Sequence, residues 1–335
     1  MKRYKRRALR LIYAICASVA LIFCCCDGVT KIVVEKHQVY DGFFVTYIDV
    51  GEGDATFIRF SDGKTMLIDC GEKSDENMAS VRYYLKDYCK SGLDYFMITH
   101  PDSDHVGNAA DILKEYDVEK VFVPDLRYPE IFREYYAFYS LALEKETEII
   151  TSQLYRNVIG EDYFLVLLSP NPKEMIMGSS YTALNDSPEP TAKERNNVSP
   201  IVYLEYKGVK FVFTGDADTS QEKVAMDNVN LGFVEAFFGE EHTVDLKNVD
   251  FLKVGHHGSD DSTGKEFLTC LTPKYAIISV GADNRYGHPN TATLLRISEN
   301  APLCKVLRTS LSGDITVTVK DDGEVGIITS SDNVN

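Results

Sequence analysis

Basic residues are scarce in this chain. Of its 35 lysines and arginines, six fall within the first ten positions, so 29 face 51 acids over the remainder, a balance of about −22. Phosphate contacts need Lys or Arg, so a surface this acidic argues against tight, non-specific binding of nucleic acid. Long apolar runs are missing too. The longest uncharged stretch, residues 11–26, holds sixteen residues where a spanning helix needs ~20. Preceded by the basic "MKRYKRRALR", this stretch is expected to be a single membrane anchor or a cleaved signal, and "LIFC" at 21–24 faintly resembles a lipobox. Each of these readings exports the rest of the chain. Cysteine supplies no framework. Four of the eight (positions 16, 24, 25 and 26) sit in that stretch, and Cys70, Cys89, Cys270 and Cys304 show no CxxC spacing. They read as buried thiols, with one or two disulfides left open.

With 335 residues and 44% apolar content, the chain can bury a large core as one α/β domain or two smaller ones. After an expected linker at 27–41, alternation begins in "FFVTYIDVGEGDATFIRFSDGKTMLIDCG", three β-rich runs separated by Gly/Asp turns. Met78, Val81, Tyr84, Leu85 and Tyr88 recur at helical spacing, and the next strand, "LDYFMITH", runs to His100. A helix (Ala109, Ile112, Leu113, Tyr116) and the strand "EKVFVPDL" follow. Residues 129–200 read as a less regular insertion with one strand, "YFLVLLS". The hairpin "IVYLEYKGVKFVFTGDAD" then echoes "TFIRFSDGKTMLIDCG", which suggests two related ββ units. Helices near 219–237, 263–270 and 291–299 alternate with the strands "VDFLKVGHHG" and "KYAIISVG", and two further strands close the pattern. Such alternation predicts a layered α/β architecture over 42–330.

Only seven histidines are present, and five of them fall in polar clusters at expected strand ends. "THPDSDHVGN" packs His100, Asp102, Asp104 and His105 into six positions after an apolar strand, a density of imidazole and carboxylate suited to divalent transition metals. Capping of the next helix by Asp104, with exposed histidines, is the plainer alternative. In "FTGDAD", Asp216 follows a strand and a glycine, ordinary turn chemistry that gains weight from its company. "VGHHGSDDS" presents His256 and His257. Adjacent strand residues point to opposite faces, so His256 is expected as a ligand and His257 is expected to turn toward substrate or to support the ligands from behind. "DNRYGHPN" holds Tyr286 and His288 in a turn, and "RNNVSP" holds Asn197 and Ser199.

The ordered series "YIDVGEGDATFIRF…LIDCG…THPDSDHVGN…NNVSP…FTGDAD…VGHHGS…NRYGHP" resembles the metallo-β-lactamase fold, specifically the exported domain of ComEC-type competence proteins. The resemblance runs from about Phe43 to Ile328. In that subgroup the third slot of the His-x-His-x-Asp-His signature is Asp, as Asp102 is here. Glu52 departs from the subgroup's usual Gln, and Cys70 from its small residue.

The resemblance implies a four-layer αββα sandwich and two divalent ions, Mn²⁺ or Zn²⁺. His100, Asp102 and one further group would hold one ion, Asp104, His105 and His256 the other, with Asp216 between them. Asp104, His257 and His288 would be catalytic, and Asn197, Ser199, Ser259 and Tyr286 would bind substrate. The implied activity is hydrolysis of a phosphodiester, with DNA among the expected substrates. A small-molecule ester, lactone or nucleotide hydrolase and a non-catalytic membrane-anchored module are the alternatives. The oligomeric state is left open.

Overall fold

The computed structural model describes residues 31–34, 40–172, 189–239 and 242–331. The expected anchor or signal at 1–26 lies outside them. Among the described residues no helix is long and apolar enough to cross a membrane.

Strand alternation sorts the apolar side chains into three cores. Along β2 (Phe43–Tyr47), Phe43, Val45 and Tyr47 enter one core while Phe44 enters another on the opposite face, as a two-residue period requires. The first sheet comprises β1 (Lys31–Val34), β2, β3 (Thr56–Arg59), β4 (Thr65–Ile68), β5 (Leu93–Met97), β6 (Val118–Val123), β7 (Glu148–Thr151), β15 (Ile315–Val319) and β16 (Val325–Thr329). Its order is β1-β16-β15-β2-β3-β4-β5-β6-β7. The second comprises β8 (Asn157–Ile159), β9 (Tyr163–Leu167), β10 (Val202–Tyr206), β11 (Val209–Phe213), β12 (Phe251–Lys253), β13 (Tyr275–Ile278) and β14 (Lys305–Arg308), ordered β14-β13-β12-β11-β10-β9-β8.

The first core fills the space between the sheets. Phe43 stacks on Tyr206 at 4.2 Å and Phe60 on Tyr163 at 4.3 Å, so each pair joins one sheet to the other. Burying one such ring contributes roughly 1.5–3 kcal/mol. The second core lies on the outer face of the first sheet, under helices Asp75–Tyr88, Ala109–Glu115 and Arg133–Glu144. The third lies outside the second sheet, under Thr219–Asn230, Phe233–Phe238, Lys265–Leu271 and Thr291–Asn300. Three cores between four layers give a helix–sheet–sheet–helix sandwich.

The echo between the two hairpins has a structural counterpart. β3 pairs antiparallel with β4, which continues parallel to β5; β10 pairs antiparallel with β11, which continues parallel to β12. Asp69 and Asp216 therefore follow corresponding strands in the two sheets.

Residues 129–200 are more regular than the sequence suggests, because they supply the helix Arg133–Glu144, both sheet edges β7 and β8, and β9, whose five residues are all buried. The expected linker contains β1, and the single helix expected near 219–237 is divided at Gly232, whose φ of +72° ends the first helix in the left-handed region.

Glu222, on helix Thr219–Asn230, is buried and accepts the backbone N–H groups of Thr263 (2.5 Å) and Gly264 (2.8 Å), just before helix Lys265–Leu271. Burial outweighs these bonds and pushes its carboxyl up to about 7 from 4.5. The proton is thus held more firmly in the folded state than in the unfolded one. The associated stability is fully present below the unfolded value and is lost as pH rises through 7, a change of about 3 kcal/mol. Glu222→Gln keeps the site neutral. Its stability relative to wild type should therefore rise between about pH 5 and pH 8 in urea unfolding; a pH-independent difference would refute the assignment.

Candidate metal centre

The site forms where the parallel strands of both sheets end, the usual rim for ligands in α/β sheets. After β5, Asp104 and His105 enter the turn Ser103–Val106. Its position is fixed from below: Asp54 N–H donates to the Asp104 carbonyl (3.2 Å), and Cys70 N–H to that of His105 (2.8 Å). Gly53 permits this approach. With φ +111°, a Cβ there would stand 2.0 Å from the Asp104 carbonyl oxygen. After β11, the Ser199 hydroxyl accepts Asp216 N–H (3.2 Å), and Asp218 caps the following helix through Ser220 N–H (2.8 Å). After β12, His256 and His257 adopt φ of 47° and 52°. Left-handed backbone in non-glycine residues is strained and concentrates at functional sites.

Donor atoms of Asp104, His105, Asp216 and His257 all lie within 4.8 Å of one another. His105 Nε2 is 3.3 Å from Asp216 Oδ1, and His257 Nε2 is 3.4 Å from Asp104 Oδ2 and 3.7 Å from Asp216 Oδ2. Each imidazole is aimed by its other nitrogen. His105 Nδ1 sits 2.7 Å from Asp69 Oδ2, and His257 Nδ1 sits 2.9 Å from the Ser279 carbonyl. Such outer partners fix the orientation of metal-ligating histidines. His100, His105 and His257 Nε2 and Asp216 Oδ1 are buried without a hydrogen-bond partner. Orphaned buried polar atoms are costly, and three of these four, on His105, His257 and Asp216, converge with Asp104 in a donor set that matches a divalent metal.

The charges of the clustered groups depend strongly on one another. Burial opposes charge on His105 and His257. For His105, Asp216, Asp69 and Asp104 outweigh burial and hold it well above the usual range; for His257, Asp216 and Asp54 raise it to about 10. Burial likewise favours neutral Asp216, yet His105, His257 and His100 hold its carboxyl well below the usual range. Burial and the neighbouring His105 lower His100.

Over residues 48–282 the sequence matches the metallo-beta-lactamase superfamily. The chain belongs to that superfamily. It is 29% identical over 296 residues to ComE operon protein 3 of Bacillus subtilis (strain 168), covering 83% of this chain and 33% of that protein. It is 26% identical over 282 residues to Recombination protein 2 of Haemophilus influenzae, covering 83% and 29%. The chain thus spans about a third of the length of these curated relatives. The solved structure of CmlA, a diiron beta-hydroxylase from Streptomyces venezuelae, overlays 84% of the chain and 55% of its own at TM-score 0.48 and 14% identity. The relatives are ComEC-type competence proteins, as the motif series suggested.

Within this metallo-beta-lactamase domain several expected roles move. His257 stands in the four-residue cluster where His256 was expected. β12 ends at Lys253 and the turn carries both histidines at positive φ, so strand alternation does not govern them. His256 stands at the margin, with Nε2 3.8 Å from Asp216 Oδ2 and Nδ1 3.1 Å from Asp261. Asp102 is outside the four-residue cluster and pairs with Arg195, Oδ1 to Nε at 2.5 Å and Oδ2 to Nη2 at 3.1 Å. Ser199 and Asn197 are buried and hold the Asp216–Asp218 loop: Asn197 Oδ1 accepts Asp218 N–H (3.2 Å). Ser259 is also buried. His288 sits at the rim, 5.6 Å between ring centroids from His256, and stacks with Tyr286, which is 72% exposed.

Four residues entered the site without being expected there as ligands or substrate contacts. Asp69 ends the first echoed hairpin, where the likeness to Asp216 was the available signal. Asp54 Oδ2 lies 2.5 Å from Nζ of Lys253, a charged residue inside the apolar strand "FLK". Glu52 packs near His257 and Asp104, where burial raises its carboxyl. Arg195 carried no signal.

Proposed function

We propose that the chain is an exported metal-dependent hydrolase of phosphodiesters, with DNA among its substrates. The observation that carries this reading is the convergence of the Oδ and Nε donors of Asp104, His105, Asp216 and His257, of which His105 Nε2, His257 Nε2 and Asp216 Oδ1 are buried without a hydrogen-bond partner. A divalent ion held there supplies Lewis acidity and a hydroxide nucleophile at neutral pH. Two carboxylates with two imidazoles suit Mn²⁺ as well as Zn²⁺. A second ion would face His100, His256 and the other oxygen of Asp216, where Oδ2 lies 3.7 and 3.8 Å from the two rings.

The chain's own groups supply orientation and proton transfer. Asp69 and the Ser279 carbonyl lock the two imidazoles before substrate arrives. At the rim His288, whose Nδ1 has no hydrogen-bond partner, can pass a proton to a leaving oxygen. Tyr286 beside it offers an exposed ring for a base to stack upon. The competence-protein relatives and the basic, then apolar, N-terminus support a membrane-anchored or secreted location.

The acidic balance of about −22 favours a second reading, hydrolysis of a small ester, lactone or nucleotide at the same centre. The purified chain with Mn²⁺ or Zn²⁺ should cleave single-stranded DNA and a chromogenic phosphodiester, and Asp104→Ala should abolish this while circular dichroism stays unchanged. Lactone cleavage alone would shift the assignment to the second reading. Bound metal without turnover on any substrate would make the domain a binding module.

A further inference from the structure

The two halves of the site differ in how their donors are committed. Around Asp104, His105, His257 and Asp216 Oδ1 the donor atoms lie within 4.8 Å of one another, and no lysine or arginine contacts Asp104 or Asp216 among the described ion pairs. On the side of His100 and His256, Asp216 Oδ2 is shared with the first half and Asp261 is bonded to His256 Nδ1 at 3.1 Å, while Asp102, whose charge acts on His100, has both oxygens engaged by the Arg195 guanidinium. Arg195 is itself anchored. It lies on the helix Ala192–Asn196, which is closed at its start by a Thr191–Glu194 capping box, and its Nη1 donates to the Pro190 carbonyl at 3.2 Å. Asp102 and Arg195 are 24% and 27% exposed, so the pair is screened only in part. A two-point guanidinium–carboxylate bond is among the stronger polar contacts in proteins and is geometrically selective. His100 Nε2, fully buried, has no partner on that side.

From this geometry we infer that the site fills in two unequal steps, and that Arg195 sets the affinity of the second by holding Asp102 away from it. This rests on the metal-dependent reading above. The first ion finds four donors already placed. The second finds two imidazoles and a shared carboxylate, and gains Asp102 only when the Arg195 fork opens. The third-slot aspartate is thus a conditional ligand, gated by an arginine on the short helix before the Asn197–Ser199 loop.

Titrating the metal-free full chain with Mn²⁺, followed by calorimetry and by electron paramagnetic resonance of coupled ions, separates the steps. Wild type should bind one Mn²⁺ tightly and a second more weakly. Arg195→Ala should tighten the second step about tenfold and leave the first unchanged. Arg195→Lys, which keeps charge but loses the fork, should fall between them. Asp102→Asn should weaken the second step and cancel the effect of Arg195→Ala in the double variant. Thermal melting shows whether each variant is folded, and the lysine variant preserves the test should alanine disturb the short helix. Two equal steps in wild type, or a second step that Arg195→Ala leaves unmoved, would overturn the inference and leave the hydrolase reading standing. Absence of any bound Mn²⁺ would overturn both.

Discussion

Asp216→Ala should cost on the order of 10³-fold in turnover, corresponding to several kcal/mol of lost transition-state stabilisation, and should strip the protein of stoichiometric metal. Among the described residues no other carboxylate stands within 4 Å of four imidazoles. Oδ1 stands 3.3 Å from His105 Nε2, while Oδ2 stands 3.7 Å from His100, 3.7 Å from His257 and 3.8 Å from His256. One side chain therefore serves both halves of the site. The fold should survive, because the loop is held by the Asp216 backbone N–H on Ser199 and by Asp218 at the helix start, neither of which needs the carboxylate. Elemental analysis beside steady-state kinetics checks it. Metal content and turnover within about twofold of wild type would remove Asp216 from the centre.

Lys253→Met should unfold the protein more readily than any change at the metal ligands, by about 3–5 kcal/mol in urea denaturation. Lys253 is 2% exposed and its Nζ lies 2.5 Å from Asp54 Oδ2, in a charge contact without hydrogen-bond alignment. Burial alone would push the Asp54 carboxyl up, yet Lys253 and then His257 draw it down, so Asp54 remains a buried anion. Removing the lysine leaves that anion to His257 and His105, whose Nδ1 atoms are 3.4 and 4.0 Å away and already bonded elsewhere. Breaking a buried pair is far costlier than replacing it. Accordingly, Lys253→Met with Asp54→Asn should recover most of the loss. A double variant no more stable than the single one would show that Lys253 acts through packing of its stem.

Those two experiments probe different depths of the site, and its depth also decided how much could be read from the sequence. Ligand-bearing loops were visible because five of seven histidines gather at strand ends, where folding alone gives no reason to place them. The choice between His256 and His257 was not, since it turns on two positive φ angles beyond the end of β12. The pairing of Asp102 with Arg195 spans 93 positions and leaves no periodic trace. Asp69 was half legible: the repeated hairpin put it in register with Asp216, but only the three-dimensional site shows that one became a ligand candidate and the other the prop behind His105.

For the fold, alternation was clear in β2, where Phe43, Phe44, Val45 and Tyr47 partition cleanly between two cores. It failed over 129–172 for physical reasons. The helix Arg133–Glu144 buries Tyr135, Phe138 and Ala142 yet leaves Tyr136 and Leu143 exposed at 46% and 55%, so its apolar stripe is blurred. β7 and β8 are edge strands of four and three residues, too short to show a period.

The four clustered donors are divided evenly between the sheets, with Asp104 and His105 following β5 in the first and Asp216 and His257 following β11 and β12 in the second. Whatever cation they hold closes a loop between segments far apart in the chain, in the manner of a covalent cross-link. It would tie the rims of two layers that also meet through the apolar core between them and through the Asp54–Lys253 pair. Loading the centre would therefore brace the rims of the sandwich as well as supply chemistry.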